Sequence, residues 1–315
     1  MSKERLYIFD TTLRDGAQTQ GVDFSIEDKE KIALALDNLG VDYIEGGWPG
    51  ASPKEKEFFD TAKKDLNLNN AKLVSFGSTR KLNTKVEEDP QVQALIDSET
   101  EYVCIVGKSS NLHITKALET DVDNAISMAV DTVRFLKENN RKVFFDAEHF
   151  FDGLKENAEV TLKILDSVVK EGVECFIFCD TNGGTLPHEV TELLNPIIEK
   201  YPNQEFGVHF QNDNGCAVTN SLAAVNLGVK HVQGTMNGYG ERTGNADLCT
   251  LLPNLSLKMN LETVPEKSLE KLTPIANHIA ELVNIAIDSR HPYVGSSAFT
   301  HKAGLHASGM SKDNT

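Results

Sequence analysis

The chain has 315 residues, 40% of them hydrophobic, enough for two small domains or for one α/β barrel of about 250 residues with an appendage. Acidic residues outnumber basic ones 47 to 31, giving a formal net charge of −16, which argues against nucleic acid or an anionic membrane as the main partner. The N-terminal segment has no long apolar run, no later run approaches the roughly 20 residues that span a bilayer, and the five cysteines form no C-x-x-C pair, so a soluble protein of the reducing cytoplasm is expected.

Short apolar runs alternate with longer stretches of helical periodicity. In chain order the predicted strands are Leu6–Phe9, Tyr43–Gly46, Leu73–Phe76, Tyr102–Val106, Val143–Ala147, Cys175–Cys179, Gly207–Phe210 and His231–Gly234. Helices are expected between them, among others at Ile26–Leu39, Val122–Lys137, Val160–Glu171, Glu189–Lys200 and Ala217–Leu227. Ser25, with Asp28 three positions on, and Asn157, before Ala158, are the expected N-caps. Strands alternating with helices imply a parallel sheet with right-handed crossovers, and eight such units point to a closed (β/α)8 TIM barrel, assigned to residues 1–260. After about Lys258 the pattern changes to an amphipathic helix, Leu269–Ile287, and then a Gly/Ser/His-rich stretch. Residues 261–315 are expected to be a C-terminal helical extension, the start of a linker or subdomain.

The polar residues suited to chemistry fall just after the strands, the ends that converge on one face of a barrel. Asp-Thr-Thr-Leu-Arg-Asp-Gly at 10–16 places Arg14 beside Asp15, a guanidinium for an anionic substrate next to a carboxylate for a divalent cation. A plain loop salt bridge is the alternative. His209 and Gln211 alternate along a strand, so both point to one face and could reach one ion. Asn237 to Ala246 is a glycine-rich loop with room for a ligand, or a mere connection, and its glycine spacing does not match the dinucleotide fingerprint. Glu148 ends a strongly apolar strand, where desolvation would fit it for proton transfer, or where it could pair with Arg14. His301 and His306 are candidate bases or tail histidines without a role.

These segments, in this order, resemble the α-isopropylmalate/homocitrate/citramalate synthase family of the DRE-TIM metallolyase superfamily. The carriers are Phe9 to Gln18, Asp213 to Ala224, Asn237 to Asn245 and His301-Lys-Ala-Gly-Leu-His306. Tyr43 to Gly50, Phe145 to Asp152 and Cys179 to Thr185 look most like the citramalate synthase branch. The resemblance implies a Claisen-type condensation of acetyl-CoA with an α-keto acid, pyruvate above others, followed by thioester hydrolysis. It implies a divalent metal held by Asp15, His209 and Asn245. Arg14 would stabilise the oxyanion, Glu45 and Glu148 would orient Arg14 and substrate, and Thr181 would bind the keto acid's carboxylate. His306, delivered across a homodimer, would help remove the methyl proton, with His301 a weaker candidate.

One departure is chemical: where the family has His-x-His-Asn-Asp, the second histidine is Gln211. An amide oxygen in the ligand set shifts the expectation toward Mg2+ or Mn2+ and away from Zn2+. A second departure is length, because relatives carry a C-terminal regulatory domain and the sequence stops at Thr315. The competing readings are isopropylmalate or homocitrate synthesis from another keto acid, a lyase of the same superfamily, and a catalytically silent metabolite-binding barrel. The lyase reading lacks its cysteine-containing glycine loop.

Overall fold

The computed structural model describes residues 3–302. Eight parallel strands close on themselves in sequence order: β1 (Tyr7–Asp10), β2 (Tyr43–Gly47), β3 (Lys72–Ser78), β4 (Tyr102–Lys108), β5 (Lys142–Glu148), β6 (Cys175–Asp180), β7 (Phe206–Phe210) and β8 (His231–Gly234). β8 pairs back onto β1 through Tyr7↔His231 to Asp10↔Gly234, so the sheet has no free edge. The expected TIM barrel is therefore the fold, and several strands run one or two residues further toward the C-terminal rim than their apolar runs indicate.

The crossovers are α1 (Ile26–Leu39), α2 (Pro53–Asp65), α3 (Pro90–Asp97), α4 (Asn111–Lys116), α5 (Val122–Glu138), α6 (Phe150–Lys170), α7 (Pro187–Lys200) and α8 (Ala217–Asn226), followed by α9 (Leu248–Pro253) and α10 (Leu272–Val283). The capping box of α1 forms as expected: the Ser25 hydroxyl accepts from the Asp28 N–H at 3.1 Å, and Asp28 accepts from the Ser25 N–H at 2.9 Å. α6 begins at Phe150, well before the expected Val160. Asn157 leaves the helical conformation within it (φ −155°, ψ 86°), and its side chain accepts from the Val160 N–H at 3.4 Å. The expected cap exists, with an additional helical segment ahead of it that buries Phe150 and Phe151.

Alternation along each strand sorts the core into two layers. Ile8, Ile44, Ile105, Phe145, Phe176 and Val208 point outward and meet the apolar stripes of the helices. Phe9, Tyr43, Cys104, Phe144, Cys175 and Ile177 point into the barrel. An aromatic plug fills the lower interior: the Tyr43 and Phe144 rings lie 4.9 Å apart, Tyr102 and Phe144 5.3 Å, and Tyr7 and His231 4.7 Å. Each such pair contributes about 0.5–1.5 kcal/mol beyond its area burial. Two residues further along the same strands, Glu45, Asp146 and Gln233 replace the aromatics. The barrel is apolar below and charged above.

The expected extension helix is shorter than its sequence pattern. A 3-10 turn occupies Glu266–Lys271, α10 follows, and Asn284 in the left-handed conformation (φ 56°) ends it. α10 turns Leu272, Ile275, Ile279 and Val283 inward, and Asn237 donates to the Ala276 carbonyl at 2.9 Å. Among the described residues no helix is long and apolar enough to cross a membrane, and all five cysteines are free thiols.

Candidate active site

The loop after β1 is folded by its own side chains. Asp10 accepts from the Thr12 N–H at 2.8 Å and from the Thr12 hydroxyl at 2.9 Å, and Thr12 Oγ1 accepts from the Met236 N–H at 2.8 Å. Burial pushes the Asp10 carboxyl up to about 7, against the pull of the Thr12 hydrogen bonds. The turn so fixed sends Arg14 and Asp15 over the barrel interior. Arg14 Nε donates to Glu45 Oε2 at 2.6 Å, and its Nη1 lies 3.6 Å from Asp15 Oδ1. The guanidinium rests 4.0 Å from the centre of the Phe76 ring. Burial alone would favour neutral Arg14, but Glu45, Asp15 and Asp146 outweigh it and hold the charge. Burial likewise raises the Asp15 carboxyl, yet Arg14 and His209 overcome this and keep it ionised well below the usual range.

On β7 the alternation read from the sequence holds: His209 and Gln211 face the interior together with Asp15. His209 Nε2 stands 3.2 Å from Asp15 Oδ2, and Gln211 Nε2 stands 3.2 Å from each of those two atoms. Gln211 also pairs with Asn245 through an isolated antiparallel backbone bridge, and the Asn245 side chain helps lower the Asp15 carboxyl, so all four expected ligands meet at one spot. A partner absent from the sequence reading sets the tautomer. Gln233 Nε2 donates to Asp146 Oδ1 at 3.0 Å, which turns Gln233 Oε1 toward His209 Nδ1 at 2.7 Å. Nδ1 therefore donates to Gln233, and Nε2–H faces the Asp15 carboxylate. Burial lowers the imidazole's pKa, but Asp15 outweighs it and the net shift is upward, and a cation bound at Nε2 would take that proton's place.

Two oxygens here, Gln211 Oε1 and Asn245 Oδ1, are buried and have no hydrogen-bond partner. Such atoms are costly unless something pairs with them. A half-turn of the Gln211 amide exchanges Nε2 for Oε1 beside Asp15 and His209. A carboxylate, an imidazole and two amide oxygens then make a donor set that fits a hard divalent cation. A second trio, Glu45, Cys104 and Asp146, also offers atoms within 4.8 Å of one another and could hold a metal. Burial pushes the Cys104 thiol well up, however, and Arg14 already supplies positive charge to both carboxylates. The trio suits a protonated thiol beside an ion pair better than a metal.

Glu148 is not the desolvated carboxylate of β5. It is partly exposed and paired with Lys108 rather than with Arg14. That position belongs to Asp146, two residues deeper on the same face, 3% exposed and raised by burial above the pull of His209 and Arg14. Thr181 Oγ1 accepts from the His149 N–H at 2.9 Å, which aims its own O–H elsewhere. One arginine joins three rim loops: Arg242 donates to Asp213 at 2.8 and 2.9 Å and to the Thr181 carbonyl at 2.8 Å. His301 is exposed and does not line the cavity, and His306 lies outside the described residues.

These groups surround a cavity of about 210 Å3 lined by Arg14, Asp15, Glu148, Thr181, His209 and Gln211 on its polar side and by Trp48, Phe76, Val106 and Cys179 on its apolar side. This is below the roughly 300–1,000 Å3 of sites for drug-sized ligands and suits a small acid. Larger clefts exist, one of about 690 Å3 beside Arg80, but there Asp131 takes up the arginine at 2.6 Å. Sequence reasoning misses Asp146, Gln233, Trp48 and the role of Arg242. Period-two alternation from Phe144 is the signal that places Asp146 on the inner face.

The chain is 52% identical over 310 residues to the (R)-citramalate synthase of Aquifex aeolicus, covering 98% of this chain and 58% of that protein. It is 35% identical over 312 residues to the 2-isopropylmalate synthase of Methanocaldococcus jannaschii, covering 98% of this chain and 56% of that protein. The chain thus spans little more than half the length of these relatives. Among solved structures, the HMG-CoA lyase of Bacillus subtilis superposes with a TM-score of 0.77 at 20% identity, covering 92% of this chain and 98% of that one, a likeness of fold. The HMGL-like family model matches residues 5–279, nearly the whole described barrel and its last helix, and the chain belongs to that family.

Proposed function

We propose that the chain condenses acetyl-CoA with pyruvate and hydrolyses the resulting thioester, so that acetyl-CoA, pyruvate and water give (R)-citramalate and CoA. The observation that carries this reading is the charged upper barrel, in which Arg14, anchored by buried Glu45, stands beside Asp15, His209, Gln211 and Asn245. The higher identity to a citramalate synthase than to an isopropylmalate synthase favours pyruvate.

Asp15, His209, Gln211 and Asn245 hold a divalent cation, Mg2+ or Mn2+ in preference to Zn2+, which polarises the keto carbonyl as a Lewis acid when bound. Arg14 keeps its charge because Glu45 and Asp15 flank it, and its remaining N–H groups face the oxygen that becomes an alkoxide as the bond closes. Thr181 donates its hydroxyl to the keto acid's carboxylate. His306, reaching across a homodimer, removes the acetyl methyl proton. Glu148, tied to Lys108 rather than to Arg14, lines the same cavity and orients the substrate there.

Thiol release from acetyl-CoA tests the proposal, measured with pyruvate, 2-ketoisovalerate and 2-ketoglutarate in Mg2+, Mn2+, Zn2+ or EDTA. Release that needs the metal and favours pyruvate is expected. A preference for 2-ketoisovalerate would move the assignment to isopropylmalate synthesis. Binding of keto acids with no release under any condition would favour the silent metabolite-binding barrel.

A further inference from the structure

Behind the cavity, on the helix side of β2, lies a buried lysine that the reaction does not use. Lys29 on α1 is 3% exposed. Its ammonium donates to Glu55 Oε1 at 2.6 Å and to the Gly46 carbonyl at 3.0 Å, and it lies 5.1 Å from the centre of the Phe58 ring. Glu55 stands in the first turn of α2, where the helix N-terminus favours its negative charge. Its other oxygen, Oε2, accepts from the Trp48 N–H at 3.1 Å. One ion pair thus grips both ends of the turn Gly46-Gly47-Trp48.

The backbone of that turn is shaped around the pair. The register between β2 and β3 slips between Glu45 and Gly47, a bulge that redirects the chain. Gly47 has φ +142°, and a Cβ there would stand 1.9 Å from Glu55 Oε2 and 2.8 Å from Lys29 Nζ. Only glycine lets the carboxylate and ammonium approach so closely. The turn carries two residues of the site in opposite directions. Glu45, just before it, anchors Arg14. Trp48, just after it, lines the cavity and packs edge-on against Phe76 with ring centres 5.5 Å apart, while Phe76 in turn carries the Arg14 guanidinium.

Burying an ion pair is costly, and a Lys–Glu pair adds little stability over an apolar pair of the same shape. Its value here lies in geometry, since it fixes a bulged turn that an apolar contact would leave free to slide. We propose that Lys29 and Glu55 are positioning residues that hold the Trp48 indole against the cavity, and that the indole so held limits the size of the keto acid's side chain. The proposal rests on the condensation reading for its substrate, but the positioning itself does not.

Trp48 is the chain's single tryptophan, so its emission reports this turn alone. The experiment compares wild type, Glu55→Gln, Lys29→Met and Trp48→Ala. It measures acrylamide quenching of emission where Trp48 is present, and kcat/KM for pyruvate against 2-ketoisovalerate by thiol release in all four. Glu55→Gln and Lys29→Met should raise the quenching constant at least twofold. They should also lower the pyruvate-to-2-ketoisovalerate ratio at least tenfold, as should Trp48→Ala. Glu55→Gln added to Trp48→Ala should change that ratio no further, and Glu55→Asp should restore part of it. Unchanged quenching in folded Glu55→Gln and Lys29→Met would overturn the positioning role. An equal loss with both keto acids in Trp48→Ala would overturn the size limit. A wild type that releases no thiol with any keto acid removes the condensation reading and the size limit with it, and the quenching still decides the clamp.

Discussion

Gln233→Leu isolates the group that orients His209, the histidine proposed to hold the metal. In the wild type Gln233 Oε1 lies 2.7 Å from His209 Nδ1 and Gln233 Nε2 lies 3.0 Å from Asp146 Oδ1. Leucine fills a similar volume and can neither accept nor donate. His209 then loses the contact that keeps its proton on Nδ1, and Asp146 loses a donor in a dry environment. Hydrogen bonds to charged groups are worth about 1.5–3 kcal/mol net, but only the share that orients His209 appears in metal binding. Loss of such an outer partner costs about 10–100-fold in metal affinity, equivalent to about 1.4–2.8 kcal/mol. Free Mn2+ followed by electron paramagnetic resonance in a titration of wild type and variant gives the ratio directly, with circular dichroism to show both are folded. Gln233→Glu serves as the internal comparison. It keeps an acceptor for Nδ1, so Mn2+ affinity should hold, while the like charge beside Asp146 lowers thermal stability. A folded Gln233→Leu that binds Mn2+ as tightly as wild type would refute the reasoning, because His209 would then need no help to present Nε2.

Arg14→Lys keeps a cation but loses the planar fork that reaches Glu45, so thiol release should fall by about 10²–10³ in kcat; a loss under tenfold would remove Arg14 from the transition state. Gln211→His restores a second imidazole and should raise Zn2+ affinity relative to Mg2+, read by competitive dialysis, and an unchanged preference would show that residue 211 does not contact the ion. Asp37→Ala probes the lower end of the barrel, where the carboxylate accepts from the N–H groups of Asn69, Asn70 and Ala71 at 3.0, 2.7 and 2.8 Å. Burial raises this carboxyl, but those hydrogen bonds outweigh it and its pKa is lowered. Its contribution is therefore fully present above the unfolded value of about 3.9 and is lost as pH falls through the lower folded value. The buried Ala71 N–H, left orphaned, should cost about 1–3 kcal/mol near neutral pH, while those of exposed Asn69 and Asn70 can turn to water. The stability gap between wild type and variant, from urea melts, should shrink below about pH 4, and a gap as large at pH 3 as at pH 7 would contradict the sign.

Reading from sequence succeeds where a physical pattern is local. A strand in a parallel barrel is buried on both faces, so its residues form a short apolar run that stands out against amphipathic helices. His209 and Gln211 share a face because they are two apart on a strand, a relation that needs no knowledge of the rest of the chain. The Ser25–Asp28 capping box and the Asn157 cap are equally local. The failures concern depth and partners. Phe144, Asp146 and Glu148 all lie on the inner face, and alternation cannot say which one the aromatic plug leaves in a dry environment and which one reaches the rim. Two residues of strand, about 6.6 Å, separate those cases, and closure of the barrel decides between them. Choosing Glu148 over Asp146 is an error of depth rather than of face. Arg14's anchor shows the same limit for the residues taken alone, since only the family resemblance named Glu45, together with Glu148. Glu45 sits 31 residues away, brought alongside only because β1 pairs with β2 in the register Asp10↔Ile44.

The same limit explains why Gln233 and the Lys29–Glu55 pair leave no mark in the sequence. Both act through another residue, and a glutamine in a strand or a lysine in a helix has no pattern that signals such a role. What the fold adds is the reason these residues are polar at all. A buried lysine, a buried glutamine and a buried aspartate each carry a desolvation cost that an apolar residue would avoid. Each is matched by directed hydrogen bonds that aim a neighbour: Lys29 and Glu55 aim Trp48, and Gln233 aims His209 while steadying Asp146. In this barrel the stability forgone behind the site goes into holding the cavity-lining residues still.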